Sequence, residues 1–223
     1  MKNNQVLRFG GLFAILLGLA KLLSGVFYLL LSPDLRAEVP AAKFLPAFAQ
    51  GSTLLTSLFW VEALAGVLGI AVIPALSSLV QDGNEGWVRW AATLATAGFI
   101  ISSVGYTLSI AKLPGIALAF VHGDAATKAA LAAVWKSSID LFGLWGYGTV
   151  GLWIFVASIS ALRKTEFSKA LAYLGILYGI LFLLVPAGTI FKMQTPLLAA
   201  AVLGATVGPI WWIWTGVTLR NAS

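Results

Sequence analysis

Cysteine is absent from this chain, histidine occurs once, and charged side chains make up only 10% of its 223 residues. Without cysteine the chain forms no disulfide, thiolate metal site, iron–sulfur cluster or cysteine nucleophile. The single histidine, His122, excludes a multi-histidine metal centre or a bis-histidine haem within one chain. Soluble domains carry about 25% charged residues, so the scarcity of charge argues against a surface that faces water on all sides.

Apolar side chains dominate instead, at 60% of the residues, and the mean hydropathy is +0.94. The formal net charge is +6. The lysines and arginines are scattered singly through short loops rather than gathered in a patch, which argues against nucleic acid as a partner. We expect them to set the topology in a lipid bilayer and to contact lipid headgroups.

Six apolar stretches are long enough to cross a hydrocarbon core, which takes about 20 helical residues. They cover roughly residues 9–31, 52–76, 90–113, 139–162, 170–191 and 197–219. The sequence therefore predicts an all-α polytopic integral membrane protein, with a six-transmembrane-helix bundle as a single transmembrane domain over residues 1–223. The first stretch is longer than the apolar core of a signal peptide, so we expect it to stay in the protein.

Basic residues are only slightly more numerous on one side of the predicted bundle, so they favour one orientation by a small margin. With the amino terminus inside, the cytoplasmic segments hold Lys2, Arg8, Arg89, Arg163, Lys164, Lys169 and Arg220, and the opposite side holds Arg36, Lys43, Lys112, Lys128, Lys136 and Lys192. The compact basic loop at residues 163–169 favours the same orientation. We predict a multi-pass protein of the cell (plasma) membrane with both termini in the cytoplasm.

Two longer connections fall on the predicted outer side, at residues 32–50 and 114–138. Pro40 and Pro46 are expected to prevent a long helix in the first. The second is expected to begin at Pro114 and to contain a short interfacial helix in its alanine-rich part, residues 125–135.

Two charged residues, Lys21 and Glu62, lie near the middle of the first two apolar stretches. An ionisable residue at this depth costs several kcal/mol, which makes it a candidate for function. The two helices run antiparallel, so the charges reach a similar depth. Small residues on the same helix faces, such as Gly18 and Gly66, indicate that both charges point into a helix–helix contact.

This intramembrane charge pair has two interpretations. One is a structural ion pair that sets the register of the two helices. The other is a proton- or ion-coupled site in which Glu62 changes its protonation as a cation or substrate enters.

Polar side chains of the third and fourth stretches form a possible polar cavity, and the candidates are Ser102, Tyr106, Ser109, Asp140, Tyr147 and Thr149. The alternative is that such groups only bond and pack helix to helix. Asp140 is expected near the outer end of its helix, in a salt bridge or an outer vestibule.

The last stretch contains Trp211, Trp212 and Trp214. We expect an aromatic belt at the inner headgroup level, with a stacking platform for a quinone, carotenoid or other flat ligand as the alternative. The cofactor is therefore unknown. The sequence as a whole contains no known catalytic motif and no metal-binding motif.

The carboxyl-terminal half carries a run of aromatic residues and glycines. It reads IDLFGLWGYG at residues 139–148, GLWI at 151–154 and GPIWWIWTGVTLR at 208–220. These segments resemble a bacterial family of small polytopic membrane proteins described as domain of unknown function 4386. The resemblance implies a membrane bundle and carries no activity and no catalytic residues.

Three classes of function follow. Glycine-rich packing faces and short loops favour a non-catalytic accessory or scaffold subunit of a membrane assembly, whose partners would be the lipid bilayer, a second copy or other membrane subunits. The pair Lys21 and Glu62 favours a small proton- or ion-coupled transporter or channel. A membrane-embedded enzyme ranks third, because no nucleophile–base pair is visible in the sequence.

Overall fold

A computed structural model describes residues 2–36, 39–81, 86–140 and 142–222 of the chain. Six helices in this part are long and apolar enough to cross a membrane, and no strand occurs in it, which confirms the predicted all-α membrane bundle. Five of them are α1 (Lys2–Leu30), α3 (Thr53–Val80), α4 (Gly86–His122), α7 (Lys169–Ile190) and α8 (Gln194–Asn221). The sixth is the segment Leu144–Ala161, which ends in α6 (Val150–Ala161), and we count it with the long helices. Helices α2 (Ala41–Ala49) and α5 (Ala125–Val134) are short.

The six long helices form a closed ring in chain order. α1 packs on α3, α3 on α4, α4 on α6, α6 on α7, α7 on α8, and α8 returns to α1. Successive long helices run in opposite directions. We call the side with α2 and α5 the loop side, and the side where α1 begins and α8 ends the terminal side.

Glycines allow these helices to approach at backbone distance. A Cβ atom at Gly11 of α1 would lie 2.7 Å from the carbonyl oxygen of Gly216 in α8. A Cβ atom at Gly179 of α7 would lie 2.8 Å from the carbonyl oxygen of Gly151 in α6. Both distances are too short for any side chain, so glycine is required where these helix pairs cross.

Helix α4 is longer than the sequence predicts, because it continues through Pro114 to His122. Proline inside a helix costs about 3 kcal/mol through a lost hydrogen bond and a steric clash. The extension buries Ala117 and Phe120 in an apolar cluster with α2. Burial of the Phe120 side chain contributes about 1.5–3 kcal/mol, which offsets much of the cost of the proline.

The short helix predicted for the alanine-rich part after α4 is confirmed as α5. The Asp124 side chain caps it by accepting a hydrogen bond from the Thr127 N–H at 2.8 Å. This N–H holds the pKa of the Asp124 carboxyl below its ordinary value. Helix α2 also forms, although Pro46 lies inside it.

The fourth spanning segment begins later than predicted, at Leu144 instead of residue 139. A π-helical turn, Leu144–Thr149, leads directly into α6. Gly143 precedes it in the left-handed conformation with φ of +69°, which favours glycine. The Asp140 carboxylate accepts hydrogen bonds from the N–H groups of Trp145 at 3.1 Å and Gly146 at 2.7 Å. Asp140 therefore stabilises the first turn of this segment.

Two glycines one heptad apart in α1 provide a test of the close packing. A Cβ atom at Gly18 would lie 2.9 Å from the carbonyl oxygen of Pro209, whereas no atom lies within 4 Å of a Cβ at Gly25. We expect Gly18→Ala to lower the stability by about 1–3 kcal/mol through overpacking.

Gly25→Ala is the matched control. It should be neutral or should stabilise the protein by up to about 1 kcal/mol, because alanine restricts the unfolded chain. Thermal unfolding of the two purified variants in detergent measures the difference. Equal unfolding temperatures would contradict the contact between α1 and α8.

Candidate functional site

Lys21 and Glu62 meet inside the ring. The Lys21 Nζ atom donates a hydrogen bond to the Glu62 Oε2 atom at 2.6 Å. The side chains remain 24% and 15% exposed, respectively. Each residue lies nine positions from the loop-side end of its helix, which is a depth of about 13 Å. The pair is therefore well inside the spanning region but not sealed by apolar packing.

Glycines next to the charges explain why both side chains point inward. Gly18, three residues before Lys21, packs on α8, where a Cβ atom would lie 2.6 Å from Ile213. Gly66, four residues after Glu62, packs on α4, where a Cβ atom would lie 2.7 Å from the carbonyl oxygen of Phe99. These contacts fix the rotation of α1 and α3 about their axes.

The charge pair borders a cavity of about 40 Å³ at the centre of the ring. A water molecule in the liquid occupies about 30 Å³, so the space suits one water or one small ion. All six spanning segments contribute to its wall. The polar and aromatic lining residues are Lys21, Glu62, Phe99, Ser102, Tyr106, Tyr147, Tyr178, Phe182 and Trp212.

Three tyrosines supply most of the uncharged polar groups in this cavity. Tyr106 of α4 and Tyr147 of the π-helical turn both line the cavity. The Tyr178 hydroxyl accepts a hydrogen bond from the Trp212 Nε1–H group at 3.2 Å. A tyrosine hydroxyl can also donate a hydrogen bond, so the cavity offers donors beside the ammonium group of Lys21.

The six candidates for a polar cavity divide into two groups. Ser102, Tyr106 and Tyr147 line the central cavity. The other three bond to nearby backbone. The Ser109 hydroxyl donates to the Gly105 carbonyl at 3.0 Å, the Thr149 hydroxyl donates to the Trp145 carbonyl at 2.6 Å, and Asp140 caps the π-helical turn.

Sequence reasoning missed Tyr178 and misplaced Trp212. The side chains of Trp211 and Trp212 are 0% and 1% exposed, so the expectation that both belong to an aromatic belt was wrong. Only Trp214, at 40%, keeps substantial exposure. Tyr178 had one signal in the sequence, because it sits in the middle of an apolar helix, away from the interfaces where tyrosine is usual.

An aromatic cluster packs against the cavity on its terminal side. It consists of Phe99, Trp153, Tyr178, Trp211 and Trp212. The rings of Trp153 and Trp212 are stacked with centroids 6.2 Å apart, and those of Trp211 and Trp212 meet edge-on at 4.6 Å. Phe99, Tyr178 and Trp212 of this cluster line the cavity, and Trp153 and Trp211 pack behind them.

Buried polar atoms continue beyond the cavity in both directions. Ser158 Oγ, Trp211 Nε1 and Thr215 Oγ1 lie towards the terminal side, and Ser24 Oγ lies one turn above Lys21 towards the loop side. These atoms have no hydrogen-bond partner in the described part of the chain. Buried groups of this kind normally bind ordered water, so a water molecule would find partners at each position.

A family model described as domain of unknown function (DUF4386) matches residues 9–216. The chain belongs to this family. Neither the curated proteins nor the solved structures contain a significant match. The match to DUF4386 confirms the resemblance seen in the carboxyl-terminal half and extends over most of the chain, including Lys21 and Glu62. With its six apolar helices, this DUF4386 protein is a multi-pass membrane protein.

The charge pair is testable by a double-mutant cycle. We expect Lys21→Met or Glu62→Gln alone to destabilise the protein by about 1–3 kcal/mol, less than the roughly 3–5 of a fully buried pair because both side chains keep some exposure. The double variant should be more stable than either single variant, because no charge is left unpaired. Thermal unfolding in detergent measures all four proteins, and purely additive effects would contradict a direct interaction.

Proposed function

We propose that the protein is a small proton-coupled transporter for a small anion, with Lys21 and Glu62 at its binding site. The observation that carries this proposal is the position of the ion pair, on a central cavity that all six spanning segments line. A purely structural pair between α1 and α3 would need neither the cavity nor the polar groups that the other four segments contribute.

Proton coupling follows from the charges of the pair. When the Glu62 carboxylate binds a proton, the Lys21 ammonium loses its counter-ion in a region of low dielectric constant. An anion that enters the cavity then restores neutrality and accepts hydrogen bonds from Lys21 and the tyrosine hydroxyls. When the anion leaves, Glu62 releases its proton and the ion pair forms again. One proton therefore accompanies each monovalent anion.

The two ends of the cavity differ in a way that fits alternating access. The aromatic cluster packs against the terminal side, whereas Tyr147 is 38% exposed in the first turn of the segment that starts on the loop side. The π-helical turn that carries Tyr147 begins at the left-handed Gly143. Turns of this type are frequent at functional sites and offer a place where the helix can adjust.

The accessory-subunit hypothesis becomes the second candidate. It rested on glycine-rich packing faces, on short loops and on the lack of a catalytic constellation in the sequence. Gly11, Gly18, Gly151, Gly179 and Gly216 are occupied by contacts within the chain. These glycines are thus accounted for by the fold itself, and they no longer favour a separate partner.

Flux through proteoliposomes tests the proposal. Purified protein is reconstituted with a pH-sensitive dye inside the vesicles, and chloride, nitrate or formate is supplied outside. We expect anion-dependent proton uptake, and Glu62→Gln should lower it by at least about tenfold because the coupling carboxylate is lost.

Glu166→Gln is the matched control, since this residue lies exposed in the loop between α6 and α7. It should leave the flux unchanged. Flux through Glu62→Gln at the rate of the parent protein would refute the proposed role of the pair. An absence of flux for all three anions in the parent protein would refute anion transport and favour the accessory hypothesis.

The tyrosine hydroxyls provide an independent test. Tyr147→Phe removes one donor from the cavity and preserves the ring contact with Phe182, whose centroid is 5.3 Å away. We expect a several-fold lower anion flux with the same proton stoichiometry, because the lost donor weakens anion binding and leaves Glu62 intact. Tyr173→Phe is the control, at a residue that is 61% exposed. Equal rates for both variants would exclude Tyr147 as a ligand.

A further inference from the structure

A second cavity lies apart from the central one, as a groove of about 450 Å³ between α1 and α8 near the terminal side. Its lining residues are Arg8, Leu12, Ile15, Val217, Arg220 and Asn221. The volume falls within the roughly 300–1,000 Å³ of sites that hold small molecules. The proposed transport cycle uses none of these residues.

The polar lining residues of α1 and α8 lie together at one end of the groove. Arg220 and Asn221 lie in the last turn of α8, and the stem of Arg220 crosses onto α1. A Cβ atom at Gly11 would lie 2.6 Å from Arg220 Cγ. Gly11 is three residues after Arg8, so both arginines lie beside the same helix crossing.

The other end of the groove is apolar and faces the lipid. Leu12 and Val217 are 45% and 44% exposed. Ile15 lies seven residues from Arg8 along α1, which places it about 10 Å deeper in the membrane. The groove therefore changes from cationic at the interface to apolar in the hydrocarbon region.

We propose that this groove binds one anionic phospholipid of the bilayer. The guanidinium groups of Arg8 and Arg220 and the amide of Asn221 bind the lipid phosphate, because guanidinium groups match phosphate oxygens in charge and geometry. An acyl chain lies along Leu12, Ile15 and Val217. The apolar half favours a lipid over free phosphate, which has no group to place there.

The net charge of the chain agrees with this ligand. A formal charge of +6 attracts the protein to an anionic membrane surface. Basic pockets between transmembrane helices are a known type of site for anionic headgroups. The groove would make the stability of the contact between α1 and α8 depend on the lipid that fills it.

Native mass spectrometry of the full chain tests this site. The detergent-solubilised protein is titrated with phosphatidylglycerol or with phosphatidylcholine of identical acyl chains. We expect one phosphatidylglycerol to be retained at least about tenfold more tightly than phosphatidylcholine, and Arg8→Gln with Arg220→Gln should abolish the preference. Arg163→Gln with Lys169→Gln is the matched control, since it removes the same charge from exposed positions on the terminal side.

The outcomes distinguish a bound lipid from free phosphate, and a specific site from general electrostatic attraction. Equal loss of phosphatidylglycerol in both double variants would show general electrostatic attraction and overturn the site. Stabilisation by inorganic phosphate equal to that by phosphatidylglycerol, measured by thermal unfolding, would show a free-phosphate site and overturn the lipid assignment.

If the arginine variant does not fold, Val217→Trp fills the apolar half instead. It should lower phosphatidylglycerol binding several-fold, and unchanged binding would refute the proposal.

Discussion

A charge inside a bilayer finds no partner in the lipid, and the arrangement of this protein follows from that constraint. The Lys21 ammonium and the Glu62 carboxylate lie about 13 Å below the loop side and are joined at 2.6 Å. They must face away from lipid, so α1 and α3 are oriented with these side chains inward. The remaining helices complete a ring around the pair and supply hydroxyl and indole groups at the same depth.

The ring closes because its helices approach at small residues. In lipid no hydrophobic force draws one helix to another, so packing and short interhelical distances provide the stabilisation. The crossings at Gly11 with Gly216 and at Gly151 with Gly179 serve this purpose. Bulky aromatic side chains then fill the terminal half of the interior, and the loop-side half keeps the cavity. The same arrangement of helices therefore produces both the tight helix contacts and the polar site.

Local sequence signals predicted the presence of each helix better than the residues at which the helices begin and end. Pro114 predicted the end of a helix, yet burial of Ala117 and Phe120 against α2 carries α4 on to His122. The apolar run at residues 139–143 predicted a helix start, yet Gly143 and the Asp140 carboxylate place that start at Leu144. In both cases contacts that are distant in sequence or specific in geometry outweigh the average preference of the residues.

The sequence by itself determined the membrane class, the number of spanning helices and the depth of Lys21 and Glu62, because hydropathy is a local property and the bilayer sets the length of each span. Only the tertiary structure decided which groups share the cavity with this pair. Tyr178 and Trp212 line it, whereas Ser109 and Thr149 bond to their own backbone. The physical reason is helix rotation, which is set by contacts between helices and which the local composition of each helix leaves open.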